Sequence, residues 1–518
     1  MSENKARKAL MTAINAGYQI DQKAFAFFKT LPETSDLEEI IRKAIEKAEA
    51  MPVKPSLLSQ EILEKVVKEL FPEKEVVEPS IQELTGKEVF HPYAKEVAGE
   101  VEVLEDPTQT LSSDGSEKGF LQCFRDRFEK MEKILRRRLD ARDAVQISRA
   151  LAAKPNTPVK IIGMVTDKRE QKRRILMKIE DLEAAATVLV LPTVDTHIFE
   201  KAQKILLDQV ICICATKSKN NLLFVTDFIW PDIPERKPTT TNVPVHVVLT
   251  SDLHIGSHAF LHEAFERFIL WLNGKVGSTK DRELAGKVKY VVIAGDLVDG
   301  IGIYPQQEKE LVISNIFEQY RATAKYIERI PDYIEVIIIP GNHDATRQAL
   351  PQPAIPKKYA EPIYSARKVT MLGDPARVQL HGVDLLLYHG RSLEDVIGSV
   401  PRLTFQNPEK AMELLLKTRH VAPVYGGRTP IAPEPYDRLI ISEPPDIFHA
   451  GHIHVNGYEN YRGTSIVNSG AWLAITDYQR KMGVTPTPGR VPIVNLQNLQ
   501  TIQVNFMAPE LSVSVVQG

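Results

Sequence analysis

The sequence predicts a multidomain protein that combines a helical N-terminal module, a small β-barrel and a larger α/β domain. A chain of 518 residues is longer than a domain with a single hydrophobic core normally is. The periodicity also changes along the chain, from helical spacing to short β-type runs and then to alternating strands and helices. In the last of these regions, polar clusters directly follow the apolar runs, which is typical of an α/β domain with a functional site.

The composition narrows the class of protein. Hydrophobic residues make up 43% of the chain and charged residues 25%, as in an ordinary globular protein. The net charge of −2 argues against a protein that coats nucleic acid, although it leaves room for local basic patches. Three cysteines in so long a chain argue against a disulfide framework. Because no signal-peptide core or long apolar run occurs, we expect a cytoplasmic protein without a membrane partner.

Residues 1–71 are predicted to form a helical docking module. The stretch SDLEEIIRKAIEKAEAM opens with a capping box from Ser35 to Glu38 and keeps helical spacing. A second stretch, EILEKVVKELFP, places Ile62, Val66 and Leu70 on one face. Helical periodicity then ends before Pro72.

The next two segments are predicted to be connections. Residues 72–119 lose all periodicity and are rich in acidic residues, Pro, Gly and Ser, which predicts a flexible acidic linker. Residues 120–152 are predicted to contain a connecting helix. Its apolar stripe consists of Leu121, Phe124, Phe128, Met131 and Leu135.

Residues 157–235 predict an OB-fold barrel. Five short β-type runs occur there, PVKIIGMVTDK, RRILMKIED, ATVLVLP, VICICAT and LLFVTDFIW. The helical stretch HIFEKAQKILL falls between the third and the fourth run. Five strands with one helix at this place suggest the OB arrangement. Such barrels bind single-stranded nucleic acid or serve as protein–protein platforms, and the pattern alone leaves both open.

The region from 244 to 518 alternates strands with helices, and five of its strands end in polar clusters. Open α/β sheets place their active sites at such strand ends. Any one cluster could be ordinary turn chemistry, but five in succession are not expected from loop composition. The clusters hold Asp252 and His254; Asp296 and Asp299; Asn342, His343 and Asp344; His389; and His452 and His454.

These residue types suit a pair of divalent metal ions. Such a pair needs a mixed shell of carboxylates and neutral imidazoles, and one carboxylate able to touch both ions. Because no cysteine is among the candidates, a closed structural zinc site is not expected. Three further histidines, His258, His381 and His449, fit no position of the pattern and are interpreted as structural.

The clusters match the signature of calcineurin-like metallophosphoesterases, and residues 244–518 resemble that superfamily, with its β-sandwich flanked by helices. The resemblance implies that Asp252, His254 and His454 hold one metal. It implies that Asn342, His389 and His452 hold the second, with Asp296 bridging. By the same resemblance His343 contacts the phosphate and protonates the leaving oxygen, and Asp344 orients that histidine. Related nucleases often carry a histidine where this chain has Asp299. Arg391, in YHGRS, is predicted to bind substrate.

An OB-like barrel directly before a metallophosphoesterase domain is the arrangement of DNA polymerase B-subunits. The stretches YHGRS, GHIHVNGY and SIVNSGAWLAITDYQRKMGVTPTPGRVPIVNL resemble the small subunits of archaeal family-D DNA polymerases. The resemblance implies a proofreading 3′→5′ exodeoxyribonuclease that uses two divalent ions, Mn²⁺ by preference, and releases nucleoside 5′-monophosphates. It implies a large catalytic polymerase subunit and a single-stranded or mismatched primer end as partners. The sliding clamp and primase would be reached through the holoenzyme, at the nucleoid.

Two alternatives remain at this point. One is a stand-alone metallophosphatase acting on small phosphoesters, which leaves the N-terminal module, the linker and the barrel unexplained. The other is a non-catalytic assembly subunit, because the eukaryotic B-subunits share the architecture but have lost the metal ligands. This sequence has every ligand position filled, which favours the active form.

Overall fold

The computed structural model describes residues 11–20, 37–49, 55, 57–59, 63, 66–67, 90–172, 174–191 and 195–516. The chain divides into two compact units, residues 1–89 and 90–518. Among the described residues, no helix is both long enough and apolar enough to cross a membrane.

The first unit contains the predicted helix. This helix, α1 (Leu37–Glu49), buries Ile40 and its neighbours one turn apart, as an amphipathic helix does. Two short strands, β1 (Gln19–Ile20) and β2 (Leu57–Leu58), pair in parallel. Three positions of the predicted pattern lie outside the described residues: Ser35, Ile62 and Leu70.

The prediction of a flexible linker over 72–119 is wrong from residue 90 onward. Residues 101–105 form a strand, β3 (Val101–Glu105), that pairs antiparallel with residues 376–380. Helix α2 (Glu117–Arg136) begins inside the predicted linker, with Ser116 as its N-cap. The strand is difficult to recognise in the sequence VEVLE because it lies at the edge of a sheet. Most of its side chains are exposed there, so the strand does not need an apolar run. Residues 72–89 lie outside the described residues.

The connecting helix predicted over 120–152 is two helices. After α2 the chain turns, and Val145 bridges to the barrel before α3 (Ile147–Ala152) begins. Much of the predicted stripe is correct, since its last three residues are buried. Leu121, however, is 71% exposed, whereas Arg127, which is not part of the predicted stripe, is buried.

Arg127 joins α2 to two other parts of the second unit. Its Nε lies 2.6 Å from Oδ2 of Asp437, and Nη1 donates to the carbonyls of Pro423 at 2.7 Å and Asp208 at 3.3 Å. Nε2 of His420 lies 3.0 Å from the same Asp437 oxygen. The ion pair is fully buried, and its partners hold the pKa of Asp437 well below its usual range despite the opposing effect of burial.

We expect Arg127→Ala to lower the free energy of unfolding by about 3–5 kcal/mol, because it leaves the Asp437 carboxylate buried without its charged partner. Urea denaturation followed by circular dichroism measures the change. The matched control is Arg125→Ala, at an exposed position on the same helix, with an expected change within about 0.5 kcal/mol. Equal losses for the two variants would contradict this role of Arg127.

A closed five-stranded barrel occupies the predicted β region. In chain order its elements are β4 (Pro158–Gln171), β5 (Arg174–Glu180), β6 (Ala185–Val190), α4 (Thr196–Gln203), β7 (Val210–Lys217) and β8 (Leu222–Ile229). Around the barrel the strands follow the order β4-β5-β6-β8-β7, and β7 pairs back onto β4. Buried and exposed residues alternate along β5, as expected for a strand with one face in the core. The predicted strands and the helix between the third and the fourth are confirmed.

The remaining strands are β9 (His246–Thr250), β10 (Val288–Ala294), β11 (Glu335–Ile339), β12 (Thr370–Met371), β13 (Ala376–Leu380), β14 (Val383–Leu387), β15 (Ile447–Ala450), β16 (Gly457–Tyr461), β17 (Thr464–Asn468), β18 (Arg490–Asn495), β19 (Thr501–Asn505) and β20 (Ser512–Val516). The helices among them are α5 (His262–Leu272), α6 (Thr279–Gly286), α7 (Ile316–Ile327), α8 (Lys357–Ala366), α9 (Leu393–Ser399), α10 (Pro408–Thr418) and α11 (Asp477–Met482).

These strands form two sheets that share one core. The first has the order β12-β11-β10-β9-β18-β19-β20, and the second has the order β16-β17-β15-β14-β13-β3. Apolar side chains of the inner strands of both sheets pack against each other. Helices α5 to α8 pack on the outer face of the first sheet, and α9 and α10 pack on the outer face of the second. The α/β region is therefore a two-sheet sandwich with helices outside.

Candidate metal centre

The polar clusters lie at matching ends of parallel strands. Strands β9, β10 and β11 are parallel neighbours in the first sheet, and β14 and β15 are parallel neighbours in the second. Each of these strands is followed within three residues by a candidate ligand. The carboxyl ends of parallel strands meet at one edge of a sheet. The clusters of both sheets therefore lie at the same edge of the sandwich.

The first three candidate ligands lie close enough to hold one ion. Nε2 of His454 lies 3.3 Å from Oδ1 of Asp252 and 3.2 Å from Nε2 of His254. Nε2 of His254 lies 3.9 Å from the same Asp252 oxygen. All three side chains are buried.

The second set lies beside it. Nε2 of His389 is 3.4 Å from Oδ2 of Asp296 and 3.0 Å from Oδ1 of Asn342, and His452 offers a ring nitrogen to the same group. Oδ2 of Asp296 is also 3.7 Å from Nε2 of His254. The Asp296 carboxylate therefore lies between the two sets. The structure brings together all seven residues predicted as ligands.

The donor set fits divalent ions. It consists of carboxylate, amide and imidazole groups, which are ligands for Mn²⁺ and similar ions. Oδ1 of Asp252 is buried and accepts no hydrogen bond from the described residues, although its position is beside two imidazoles. A buried carboxylate oxygen without a donor is costly, and a cation at this point would satisfy it.

The backbone at the centre is strained. Five candidate ligands have left-handed φ angles: Asp252 (54°), His254 (50°), Asp296 (52°), His452 (68°) and His454 (61°). Such angles are uncommon outside glycine and persist only where the surroundings enforce them, most often at functional sites. Gly341 shows how closely the chains approach, because a Cβ there would lie 2.7 Å from Cε1 of His389.

Outer partners fix the orientation of the imidazoles. Nδ1 of His389 donates to the carbonyl of Ala294 at 2.8 Å, which directs Nε2 towards the centre. Nδ1 of His254 lies 3.0 Å from Oδ1 of Asp299, and Nε2 of His452 lies 3.5 Å from Oε1 of Glu394. Metal-ligating histidines usually have such partners.

Asp299 and Glu394 are functional candidates whose roles sequence patterns did not reveal. Asp299 stood out only as a departure from related nucleases. Glu394 occurs three residues after Arg391 in GRSLEDV, a stretch with no recognisable metal-site spacing. A third such residue is Gln479, whose Nε2 lies 2.9 Å from Nδ1 of His454.

His343 lies beside the shared Asp296 and the His254 ring. Its backbone N–H donates to Oδ1 of Asp296 at 2.8 Å, and its ring contacts that of His254 with centroids 4.6 Å apart. Nδ1 donates to the carbonyl of Asp299 at 2.7 Å, so Nε2 is the ring atom left to exchange a proton with a ligand.

The predicted role of Asp344 in orienting His343 is wrong. Its carboxylate accepts hydrogen bonds from the backbone N–H groups of Gly341 (2.9 Å) and Leu297 (3.3 Å), and from the Tyr320 hydroxyl at 3.1 Å. Asp344 therefore braces the turn that carries Asn342 and His343, whereas the Asp299 carbonyl holds the imidazole. Burial, and to a smaller extent repulsion from Asp296, raises the pKa of Asp344 to about 7.

The two carboxylates of the centre are held in the charged form. Burial alone would raise the pKa of Asp296, but His389 and His343 hold it well below its usual range. Burial would likewise raise the pKa of Asp252, and His454 lowers it to about 2. Both groups are therefore anionic at neutral pH, as metal ligation requires.

The imidazoles fall into two classes. Burial opposes the charge on His254, but the bond to Asp299 and the charge of Asp296 raise its pKa to about 9. For His389, Asp296 outweighs burial and raises the pKa to about 10. For His343 and His454 burial prevails, and their pKa values lie below the ordinary value.

A cavity of about 640 Å³ opens over the centre. Arg391 lines it, with Nη1 donating to the carbonyl of Gln348 at 2.8 Å, and Gln348 in turn donates to the backbone carbonyl of Asn342. Arg391, the residue predicted to bind substrate, therefore lines the cavity over the candidate site. Arg428 and Glu394 also line the cavity and pair at 3.2 Å.

Among the described residues, none of the three histidines interpreted as structural belongs to a ligand group. Nε2 of His449 lies 3.1 Å from the Ser469 hydroxyl. Nδ1 of His381 lies 3.2 Å from Glu100. The backbone N–H of His258 donates to the carbonyl of Glu310.

Residues 247–456 match the family model that describes the B-subunits of DNA polymerases alpha and epsilon. The chain is 41% identical over 405 residues to the DNA polymerase II small subunit of Pyrococcus furiosus, in a match that covers 77% of this chain and 66% of that protein. It is 41% identical over 391 residues to the corresponding protein of Archaeoglobus fulgidus, covering 76% of this chain and 78% of that protein. The match to the Methanothermobacter thermautotrophicus protein is 39% identical and covers 76% and 80%. The matched part spans just under two thirds of the length of the Pyrococcus relatives.

Proposed function

Because the chain belongs to the family of archaeal family-D DNA polymerase small subunits, we propose that it is the proofreading 3′→5′ exonuclease subunit of a heteromeric DNA polymerase. The observation that carries the proposal is the meeting of seven ligand-type side chains at one place, where five of them and His343 line one cavity. The substrate would be the 3′-terminal phosphodiester of a single-stranded or mismatched primer.

The proposed cofactors are two divalent ions, with Mn²⁺ preferred. Asp252, His254 and His454 would hold one, and Asn342, His389 and His452 the other, with Asp296 shared. When bound, the ions would polarise the phosphate and lower the pKa of a water molecule. Water adds to phosphorus, the bond to the 3′ oxygen breaks, and the product is a nucleoside 5′-monophosphate.

The chain's own residues would supply the remaining chemistry. His343, held through Nδ1 by the Asp299 carbonyl, would give a proton from Nε2 to the departing 3′ oxygen. Asp299 and Glu394 would keep two ligand imidazoles in place. Arg391 would contact the phosphate, since guanidinium groups match phosphate geometry.

The fold supports the wider proposal. The strand order of the barrel, with a helix between the third and the fourth strand, supports an OB-fold. The two-sheet sandwich with helices outside supports a calcineurin-like metallophosphoesterase domain. The proposed partners are the large polymerase subunit and DNA, with the sliding clamp and primase reached through the assembly, at the nucleoid. The barrel and the outer face of the sandwich are the expected docking surfaces for the large subunit.

The test is incubation of the purified chain with Mn²⁺ and 3′-labelled single-stranded and mismatched primer DNA, alone and with the large subunit. Release of labelled mononucleotides is the expected result. Turnover of p-nitrophenyl phosphate without DNA degradation would instead point to a phosphatase. Absence of any metal-dependent hydrolysis, with or without the large subunit, would leave an assembly subunit.

Mn²⁺ binding should release protons. The pKa of both His254 and His389 lies above the ordinary imidazole value of about 6.5. The protonated imidazoles therefore stabilise the metal-free fold fully below about pH 6.5. This stabilisation is lost as pH rises through about 9 for His254 and through about 10 for His389. A metal ligand must be neutral, so at about pH 7.5 saturation should displace about two protons, and affinity should rise with pH. Isothermal titration calorimetry in buffers of different ionisation enthalpy counts them. Binding heat that is independent of the buffer would contradict this prediction.

A further inference from the structure

The cavity over the candidate metal centre places a single tyrosine, Tyr304, directly beside the proposed acid. Its ring lies 6.3 Å from that of His343, centroid to centroid, at an interplanar angle of 61°. The residue is 37% exposed and lines the cavity. Its hydroxyl donates to Oε2 of Glu310 at 3.0 Å, which helps to orient the ring. An oriented, exposed aromatic face is what base stacking requires.

The segment that carries Tyr304 is held by two buried amides. Gln307 accepts the backbone N–H of Ile303 at 2.9 Å and donates to the carbonyl of Asp299 at 2.7 Å. Gln319 accepts the backbone N–H of Gly300 at 2.9 Å. Asp299 also holds His254 and His343, so Tyr304 belongs to the same rigid framework as the proposed catalytic groups.

The direction of cleavage then indicates which nucleotide lies beside this ring, given the exonuclease function proposed above. Cleavage of the 3′-terminal phosphodiester into a 5′-monophosphate expels the 3′ oxygen of the penultimate nucleotide. His343 is the proposed donor to that oxygen, so the penultimate nucleotide must lie on the side of His343. Tyr304 lies on that side.

We propose that Tyr304 stacks on the base of the penultimate nucleotide of the DNA strand. Such a contact acts on the strand that remains after cleavage. It gives no sequence preference, because every base has a π-face.

The test compares two single-stranded substrates that differ only in the penultimate nucleotide, which carries a base in one and is abasic in the other. With the wild type, loss of the base should lower kcat/KM by about 5- to 150-fold, the range expected for one stacked base. Tyr304→Ala should cleave both substrates at the same rate, whereas Tyr304→Phe should keep the preference of the wild type. Tyr436→Ala is the matched control, because Tyr436 is exposed and lies outside the residues that line this cavity.

A second readout needs neither turnover nor metal. In EDTA, 2-aminopurine at the penultimate position should be quenched on binding to the wild type and to Tyr304→Phe, but not to Tyr304→Ala. An equal abasic penalty in Tyr304→Ala and the wild type would overturn the stacking proposal while leaving the exonuclease function intact. If the wild type released no mononucleotide from any DNA, both proposals would fall.

Discussion

Asp296→Asn is expected to abolish metal-dependent DNA hydrolysis, with a loss of about 10³-fold or more. The Asp296 carboxylate lies between the two ligand groups, 3.7 Å from His254 and 3.4 Å from His389. Replacing it with a neutral amide removes the shared anionic ligand, and charge stabilisation by a metal pair contributes several kcal/mol, where each 1.36 kcal/mol is tenfold in rate. Mononucleotide release under saturating Mn²⁺ measures the loss.

The change in metal binding separates this effect from misfolding. Asp296→Asn should bind Mn²⁺ more weakly in calorimetry but keep the far-ultraviolet circular dichroism of the wild type. Asp332→Asn is the control, since Asp332 is an exposed carboxylate in the turn before β11. Wild-type hydrolysis by Asp296→Asn would show that the shared carboxylate is not part of the reaction.

His343→Ala is expected to slow DNA hydrolysis by about 10²–10⁴-fold, the usual contribution of a general acid. Unlike Asp296→Asn, it should leave Mn²⁺ stoichiometry unchanged, because the His343 ring is anchored to a backbone carbonyl and is not among the seven proposed ligands. Single-turnover cleavage of 3′-labelled DNA measures the rate of the chemical step.

The leaving group provides the control for His343. In the p-nitrophenyl ester of thymidine 5′-monophosphate the leaving group is stable as an anion near neutral pH, so it gains little from an acid. We therefore expect His343→Ala to lose far less activity on this ester than on DNA. Equal losses on the two substrates would mean that His343 acts by binding phosphate and not by protonating the departing oxygen.

The secondary structure could be predicted from the sequence where buried side chains recur at a regular spacing. In β5 and β6 the buried residues recur at every second position, and that period is visible in the sequence. Strand β3 was not predictable, because its hydrogen bonds to β13 define it while its side chains remain mostly exposed. Arg127 was not predictable in the core either, since the partners that make its burial tolerable, Asp437 and the carbonyl of Pro423, are distant in sequence.

The candidate ligands were predictable for a different reason. Metal chemistry restricts the residue types, and the sheet restricts their place to strand ends, so Asp252, Asp296 and His389 could be selected from the sequence. Glu394 and Asp299 could not be assigned, because their closeness to His452 and His254 depends on how the loops fold.

Backbone strain at the centre is also invisible in the sequence. The left-handed φ angles fall on aspartate and histidine, and sequence signals for such angles come mainly from glycine and asparagine. The error over Asp344 has a related cause. Adjacent residues in a tight turn point in different directions, so Asp344 faces the backbone N–H groups beneath the turn while the His343 ring reaches the Asp299 carbonyl.

The central claim is that this chain builds a two-metal centre from residues of both sheets. Diffraction data from Mn²⁺-soaked crystals, collected on both sides of the manganese absorption edge, test it most directly. We expect two anomalous peaks, one among Asp252, His254 and His454 and the other among Asn342, His389 and His452, with Asp296 in contact with both. No peak at this position, or a single peak that leaves one set of ligands without an ion at saturating Mn²⁺, would contradict it.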